Sequence, residues 1–366
     1  MVSRTPSERR AAMVRLVESK TVQRVTPPLL LPAGPYLDLA GEEFGRQLLL
    51  TTANDGTEYC LRPDFTLPIA KSYLDDGMIG VPGAFTYLGP IFRQENGVPV
   101  EYDQAGLELL GQPDAASALD QVLTFARWAL AIYDITAPNI RLGGVGLFEA
   151  FLAAMGISPQ WRARIRHRFG HPVALGRLME RLTNPDRGSS GASPDAHETI
   201  VEIVTDNMLQ SGLSLVGSRV PEEIAERYIE KQALDAAPIP DEMVKLLVEY
   251  LSIADIPQRA LDRIWQMTQK AGIDIEAPLN IVRSHAAALI ALSPKAEVVF
   301  DASFSPRLDY YTGVVFEMTG VEGDILASGG EYDRLLDRLG GSEPVTASGC
   351  ALWTERLERE AQRFDG

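Results

Sequence analysis

The chain has 366 residues, 45% of them hydrophobic, and carries 34 Lys and Arg against 50 Asp and Glu, a formal charge of −16. That length accommodates two or three domains with a large core, and the acidic balance argues against broad contact with a nucleic-acid backbone, whose affinity rests on basic side chains. No run of 18 or more apolar residues occurs and the N-terminus lacks an apolar signal region, so a cytoplasmic chain that stays out of membranes is expected. Cys60 and Cys350 stand apart among apolar neighbours, and the histidines at 167, 171, 197 and 285 show no zinc-like spacing with them, so neither a metal nor a cofactor is implied. The local basic run from Trp161 to Arg168 spreads its arginines over two sides of a helix and reads as a solvated face.

In chain order, Ser7 to Lys20 reads as an amphipathic helix with Ala11, Val14, Leu16 and Val17 apolar, and Thr26-Pro27-Pro28 forces extended chain after it. Residues 47–52 and 58–62 read as a hairpin around Asn54-Asp55-Gly56. Phe85 to Phe92 and Tyr102 to Leu110 read as a strand pair, followed by a helix from Ser117 to Ile135. This is an α+β pattern, a mostly antiparallel sheet flanked by helices.

From residue 150 to 285 the chain turns helical, broken by the loops 184–194 and 235–240, and reads as an insertion between a first core segment, 1–149, and a second, 286–366. Strand vocabulary returns at Glu297 to Asp301 and runs to Leu326. Leu308 to Phe316 reads as a strand, which would turn Asp309 and Tyr311 to one face and Tyr310 and Thr312 to the other. Gly329-Gly330 then permits a close backbone approach, followed by Glu331-Tyr332-Asp333. Two tyrosines, an Asp and a second Gly-Gly-x-Tyr-Asp run together point to a polar pocket, although any single tyrosine is more often core.

The stretch Phe304 to Glu317, with Ser328 to Asp333, resembles the histidine-recognition signature of the histidyl-tRNA synthetases. Leu61-Arg-Pro-Asp-Phe-Thr-Leu-Pro68 is similar to that family's Leu-Arg-Pro-Glu-Gly-Thr segment. Gly89 to Arg93 with Asp103 to Glu108 resembles the second motif of class II synthetases, and Thr354 to Leu357 the third. The resemblance implies a class II aminoacyl-tRNA synthetase-like antiparallel sheet core flanked by helices, carrying a helical insertion. It also implies a pocket for free histidine. Asp64, Thr66 and Gln104 would accept from the α-ammonium, Arg93 would donate to the carboxylate, and Glu108, Tyr311 and Tyr332 would meet the imidazole. Each has an ordinary reading as well: Asp64 capping a turn, Glu108 paired with a lysine, the tyrosines in the core.

The ATP side departs from the family. Pro306 stands where the signature carries its catalytic arginine, and Arg307, one position on, would face the other way along a strand. The second-motif loop, Val98 to Gln104, lacks the family's arginines, and Trp353 replaces a glycine before the third motif. The chain ends at Gly366, soon after that motif, so the family's anticodon-binding domain is not expected. This combination resembles the regulatory subunits of ATP phosphoribosyltransferase, non-catalytic paralogues of the synthetases. It implies a homodimer through the N-terminal helix and the first-motif region, within a hetero-octamer that contains a short catalytic subunit. A degenerate histidyl-tRNA synthetase and a free-standing histidine sensor are the rival readings.

Overall fold

The computed structural model describes residues 4–19, 21–39, 44–95, 99–183, 238–306 and 310–363. The chain divides into two compact units, Met1–Ala150 with Leu251–Gly366, and Phe151–Tyr250. Among the described residues no helix is long and apolar enough to cross a membrane.

Among the described residues the larger unit has twelve strands. The first four are β1 (Gln23–Arg24), β2 (Leu30–Pro32), β3 (Leu50–Thr52) and β4 (Glu58–Leu61). They are followed by β5 (Gly83–Phe92), β6 (Glu101–Leu110), β7 (Asn139–Gly144) and β8 (Ala254–Asp255). The last four are β9 (Glu297–Asp301), β10 (Val314–Thr319), β11 (Ile325–Glu331) and β12 (Ala347–Trp353). Nine form one sheet in the order β1-β5-β6-β12-β11-β10-β7-β9-β8, parallel only at β1/β5 and β7/β9. The remaining three pair as β2-β4-β3, and the tip of the β3–β4 hairpin is Gly56 at φ 87°, a left-handed position that suits glycine.

The first helix, α1 (Pro6–Val17), starts where the sequence signals it. Thr5 and Glu8 form a capping box, Pro6 sits in the first turn, and Arg9, Met13 and Val17 make the buried stripe at i, i+4 spacing. Short α2 (Gly34–Leu39) and α3 (Thr66–Asp75) follow, then α4 (Ala115–Ile132). α4 opens on Asp114, whose side chain accepts from Ser117 N, and closes three residues before the expected Ile135. Asp134 takes φ 58°, a left-handed conformation that ends a helix.

The chain continues through α5 (Val145–Ala154), α6 (Pro159–Arg166), α7 (Pro172–Thr183) and α8 (Asp241–Leu251). Within the smaller unit Phe151 stacks on Tyr250 at 4.5 Å, beside buried Ile165, Phe169, Leu175, Leu178 and Leu247. The loops expected at 184–194 and 235–240 lie outside the described residues, apart from 238–240.

The second boundary differs from the expected one at 285, because the larger unit resumes at Leu251. α9 (Pro257–Lys270) and α10 (Glu276–Leu292) look as helical as the insertion in sequence, but they pack with the sheet unit. β8 pairs antiparallel with β9, α9 packs on β9, and α10 packs on α4. Two short helices, α11 (Arg334–Arg338) and α12 (Thr354–Gln362), complete that unit.

The strand expected over Leu308 to Phe316 begins only at Val314. Tyr310 to Gly313 form no ladder, so the two-residue alternation does not apply, and Tyr310 and Tyr311 are both buried with ring centroids 5.2 Å apart. The expectations for Arg307 and Asp309 fall outside the described residues.

Candidate functional site

Glu108, on central strand β6, is the focus of the site. It is 1% exposed, with Phe85 opposite it on β5 and Gly349 on β12. Only glycine fits at 349, because a Cβ there would collide with the Glu108 carboxyl. Gly106, two residues earlier on the same face, leaves room for the Tyr87 ring in the same way.

Three hydroxyls converge on this carboxyl group. Thr66 Oγ1 donates to Oε1 at 2.6 Å, Tyr87 O–H donates to the same oxygen at 3.3 Å, and Tyr332 O–H donates to Oε2. Burial pushes the Glu108 pKa up to about 8 despite the three donors, which favour the ionised form, and nearby Asp64 adds to the rise. Phe65 lies flat on Tyr87, with centroids 4.3 Å apart, and holds that ring in place.

Tyrosines line one side. Tyr332 is 5.8 Å from Tyr310 and 6.4 Å from Tyr311 between ring centroids, both edge-on. Burial, and then the Glu108 charge, push the Tyr311 hydroxyl well above its ordinary pKa, keeping it neutral.

The other side is charged. Asp64 Oδ1 accepts from Leu67 N at 3.1 Å, so it does cap the start of α3, as its ordinary reading required. Burial raises its pKa, and the positive charge of Arg93 offsets part of that rise. Arg93 Nε donates to Pro63 O at 2.7 Å, and its guanidinium lies 4.9 Å from the Phe44 ring. Gln104 is 1% exposed on the Glu108 face of β6, and its Oε1 accepts no hydrogen bond among the described residues.

Thr66, Glu108 and Tyr332 are thus joined directly, Tyr311 packs beside them, and Asp64 with Arg93 forms an adjoining charged pair. Gln104 supplies a spare acceptor on the same face. Sequence reasoning missed Tyr87, Phe65 and Gly349. The signal for Tyr87 and Glu108 was the glycine that faces each across a strand pair, at 106 and 349, and it is visible only once register is known.

Towards β12 the surface changes. Trp353 is 9% exposed, its Nε1 donates to nothing among the described residues, and the Arg356 guanidinium lies 5.1 Å from its ring. Arg356 Nη2 reaches Glu95 Oε2 at 3.3 Å, Arg93 Nη1 lies 4.0 Å from Glu95 Oε1, and Tyr102 O–H donates to that oxygen at 3.3 Å. Both cations on this side are therefore engaged by one carboxylate. Pro306, which has no donor, occupies the position of the signature arginine.

The sheet, its flanking helices and this site define a class II aminoacyl-tRNA synthetase-like body. A family profile described as histidyl-tRNA synthetase matches residues 3–171 and 209–357. An ATP phosphoribosyltransferase regulatory subunit of Agrobacterium fabrum is 36% identical over 354 residues, which cover 93% of each chain. A solved ATP phosphoribosyltransferase regulatory subunit/histidyl-tRNA synthetase from Bacillus halodurans C shares the fold with a TM-score of 0.65 at 21% identity, over 97% of this chain and 78% of the other. A histidyl-tRNA synthetase from Nostoc sp. PCC 7120 does so with a TM-score of 0.61 at 14% identity, over 98% and 71%. The chain belongs to the histidyl-tRNA synthetase family and, within it, to the ATP phosphoribosyltransferase regulatory subunits.

Proposed function

We propose that this chain is the non-catalytic regulatory subunit of an ATP phosphoribosyltransferase in the first step of histidine biosynthesis, and that it senses free histidine. The reading rests above all on one contrast. A buried carboxyl is caged by Thr66, Tyr87 and Tyr332, while the sequence carries Pro306 and Trp353 where the resemblance puts nucleotide-binding residues. The 36% identity to a regulatory subunit of that name supports it.

Histidine would place its imidazole between Glu108 and the Tyr311 and Tyr332 rings. Its α-ammonium would meet Asp64, Thr66 and the unused Gln104 Oε1, and its carboxylate would meet Arg93. An unpaired buried acceptor is unfavourable, so an arriving donor is rewarded. Because an imidazole N–H or an ammonium favours ionised Glu108, ligand binding and loss of the Glu108 proton are linked.

The chain would act as a homodimer in a cytoplasmic hetero-octamer with a short catalytic subunit, which carries out the phosphoribosyl transfer. Histidine regulates that partner only to the extent that it binds one conformation of this chain better than another, a coupling of commonly ~1–3 kcal/mol. The test mixes a short catalytic subunit with this chain and follows its turnover. The expected result is co-elution on size exclusion and a rise in turnover that survives Tyr311→Phe. Separate elution at micromolar concentration with unchanged turnover would instead favour a free-standing sensor.

A further inference from the structure

Glu331 lies behind the tyrosine wall, next in sequence to Tyr332. Its Oε2 accepts from Val314 N at 2.7 Å, and its own carbonyl accepts from Thr312 N at 2.8 Å. The carboxylate fills the space beside Gly313 that a Cβ would need, so glycine at 313 and glutamate at 331 fit as a pair. The Glu331 side chain at Val314 N and its main-chain carbonyl at Thr312 N thus hold the backbone on either side of Gly313, just after Tyr310 and Tyr311. Tyr310 to Gly313 precede β10, and Thr312 N, donating to Glu331 O at the end of β11, ties this stretch to that strand.

Burial raises the Glu331 pKa, and the hydrogen bond from Val314 N offsets part of that rise. His285 on α10, 2% exposed, acts on it electrostatically, and its Nδ1 lies 3.1 Å from Asp120 Oδ1 on α4. Asp333 is the other charged group that acts on Glu331, and it is itself fixed by accepting from Ala347 N at 2.7 Å. The Glu331 carboxyl is thus bonded to Val314 N on β10, with His285 on α10 and Asp333 near enough to act on it.

We propose that Glu331 is a positioning residue for amino-acid binding, holding the Tyr310–Gly313 turn so that Tyr311 and Tyr332 keep their edge-on arrangement. The inference rests on the histidine-pocket reading for its effect on ligand, but not for its effect on the turn. The informative pair of variants is Glu331→Gln, which keeps an acceptor for Val314 N, and Glu331→Leu, which keeps similar bulk without one.

The expected result is histidine affinity within about threefold of wild type for Glu331→Gln and at least about tenfold weaker for Glu331→Leu, read by calorimetry. In the ligand-free proteins, hydrogen exchange at residues 312–316 should be at least about tenfold faster in Glu331→Leu alone, while β5 and β6 exchange as in wild type. A merely structural loss would speed exchange across the whole sheet. Wild-type exchange in Glu331→Leu, sheet-wide loosening, or equal damage from both variants would overturn the proposal. If wild type itself binds no histidine, the pocket reading fails and the exchange measurement still decides the role of Glu331.

Discussion

Around Glu108 the sheet buries one carboxyl group among three hydroxyl donors, whereas around Glu95 one part-exposed carboxylate gathers two guanidinium groups. The two regions share strands β6 and β12 but respond differently to a ligand. The Glu108 region keeps acceptors in reserve, Gln104 Oε1 among them, and rejects solvent, so a small molecule with matched donors gains strongly there. In the Glu95 region Arg356 is held by Glu95 at 3.3 Å, so on the proposed reading a triphosphate would have to compete with that carboxylate for it. On the proposed reading, amino-acid recognition and nucleotide chemistry sit in different parts of one sheet, so that the second could be lost while the first is kept.

The comparison breaks most visibly at Glu108. Replacing Glu108→Ala leaves the hydroxyls of Thr66 and Tyr332 without this acceptor, at about 1–3 kcal/mol for each group left unpaired, while Tyr87 keeps the Cys350 carbonyl. Thermal unfolding should show a loss of roughly 3 kcal/mol or more, and calorimetry should detect no histidine binding. Unchanged affinity in that variant would move the ligand elsewhere.

A smaller effect sharpens the same point through pH. The folded-state pKa of Glu108 is raised to about 8 from 4.5, so its protonated form is favoured in the folded protein. Its contribution to stability is present in full below the unfolded value and is lost as pH rises through about 8. The melting temperature of the free protein should therefore fall by a few degrees between roughly pH 6 and 9, and Glu108→Gln, which cannot ionise, should fall less. Parallel curves for the two proteins would place the titration on another group.

Much of this arrangement was legible in the sequence where local rules suffice. The first helix, the Asn54-Asp55-Gly56 hairpin and the β5–β6 pair all rest on spacing within a few residues. Of the seven residues that the resemblance implied, Thr66 and Tyr332 hydrogen-bond to Glu108, while Asp64 and Arg93 bond to Leu67 N and Pro63 O. What stayed hidden depends on register or on context at a distance. Gly349 and Gly106 matter only because of what faces them across a ladder. Tyr310 and Tyr311 escape strand alternation because β10 begins only at Val314, whose N–H is taken by the Glu331 carboxyl. The break at 285 was misplaced because α9 and α10 carry the same helical periodicity as the insertion, and only the β8–β9 pair reveals where the sheet unit resumes.

The claim that recognition survives without activation is tested most directly by histidine-dependent exchange of labelled pyrophosphate into ATP, measured on protein that binds histidine in the calorimeter. The account predicts no exchange above background at saturating histidine, because Pro306 and the engaged arginines leave the forming adenylate without a donor. Exchange at rates ordinary for a synthetase would contradict it.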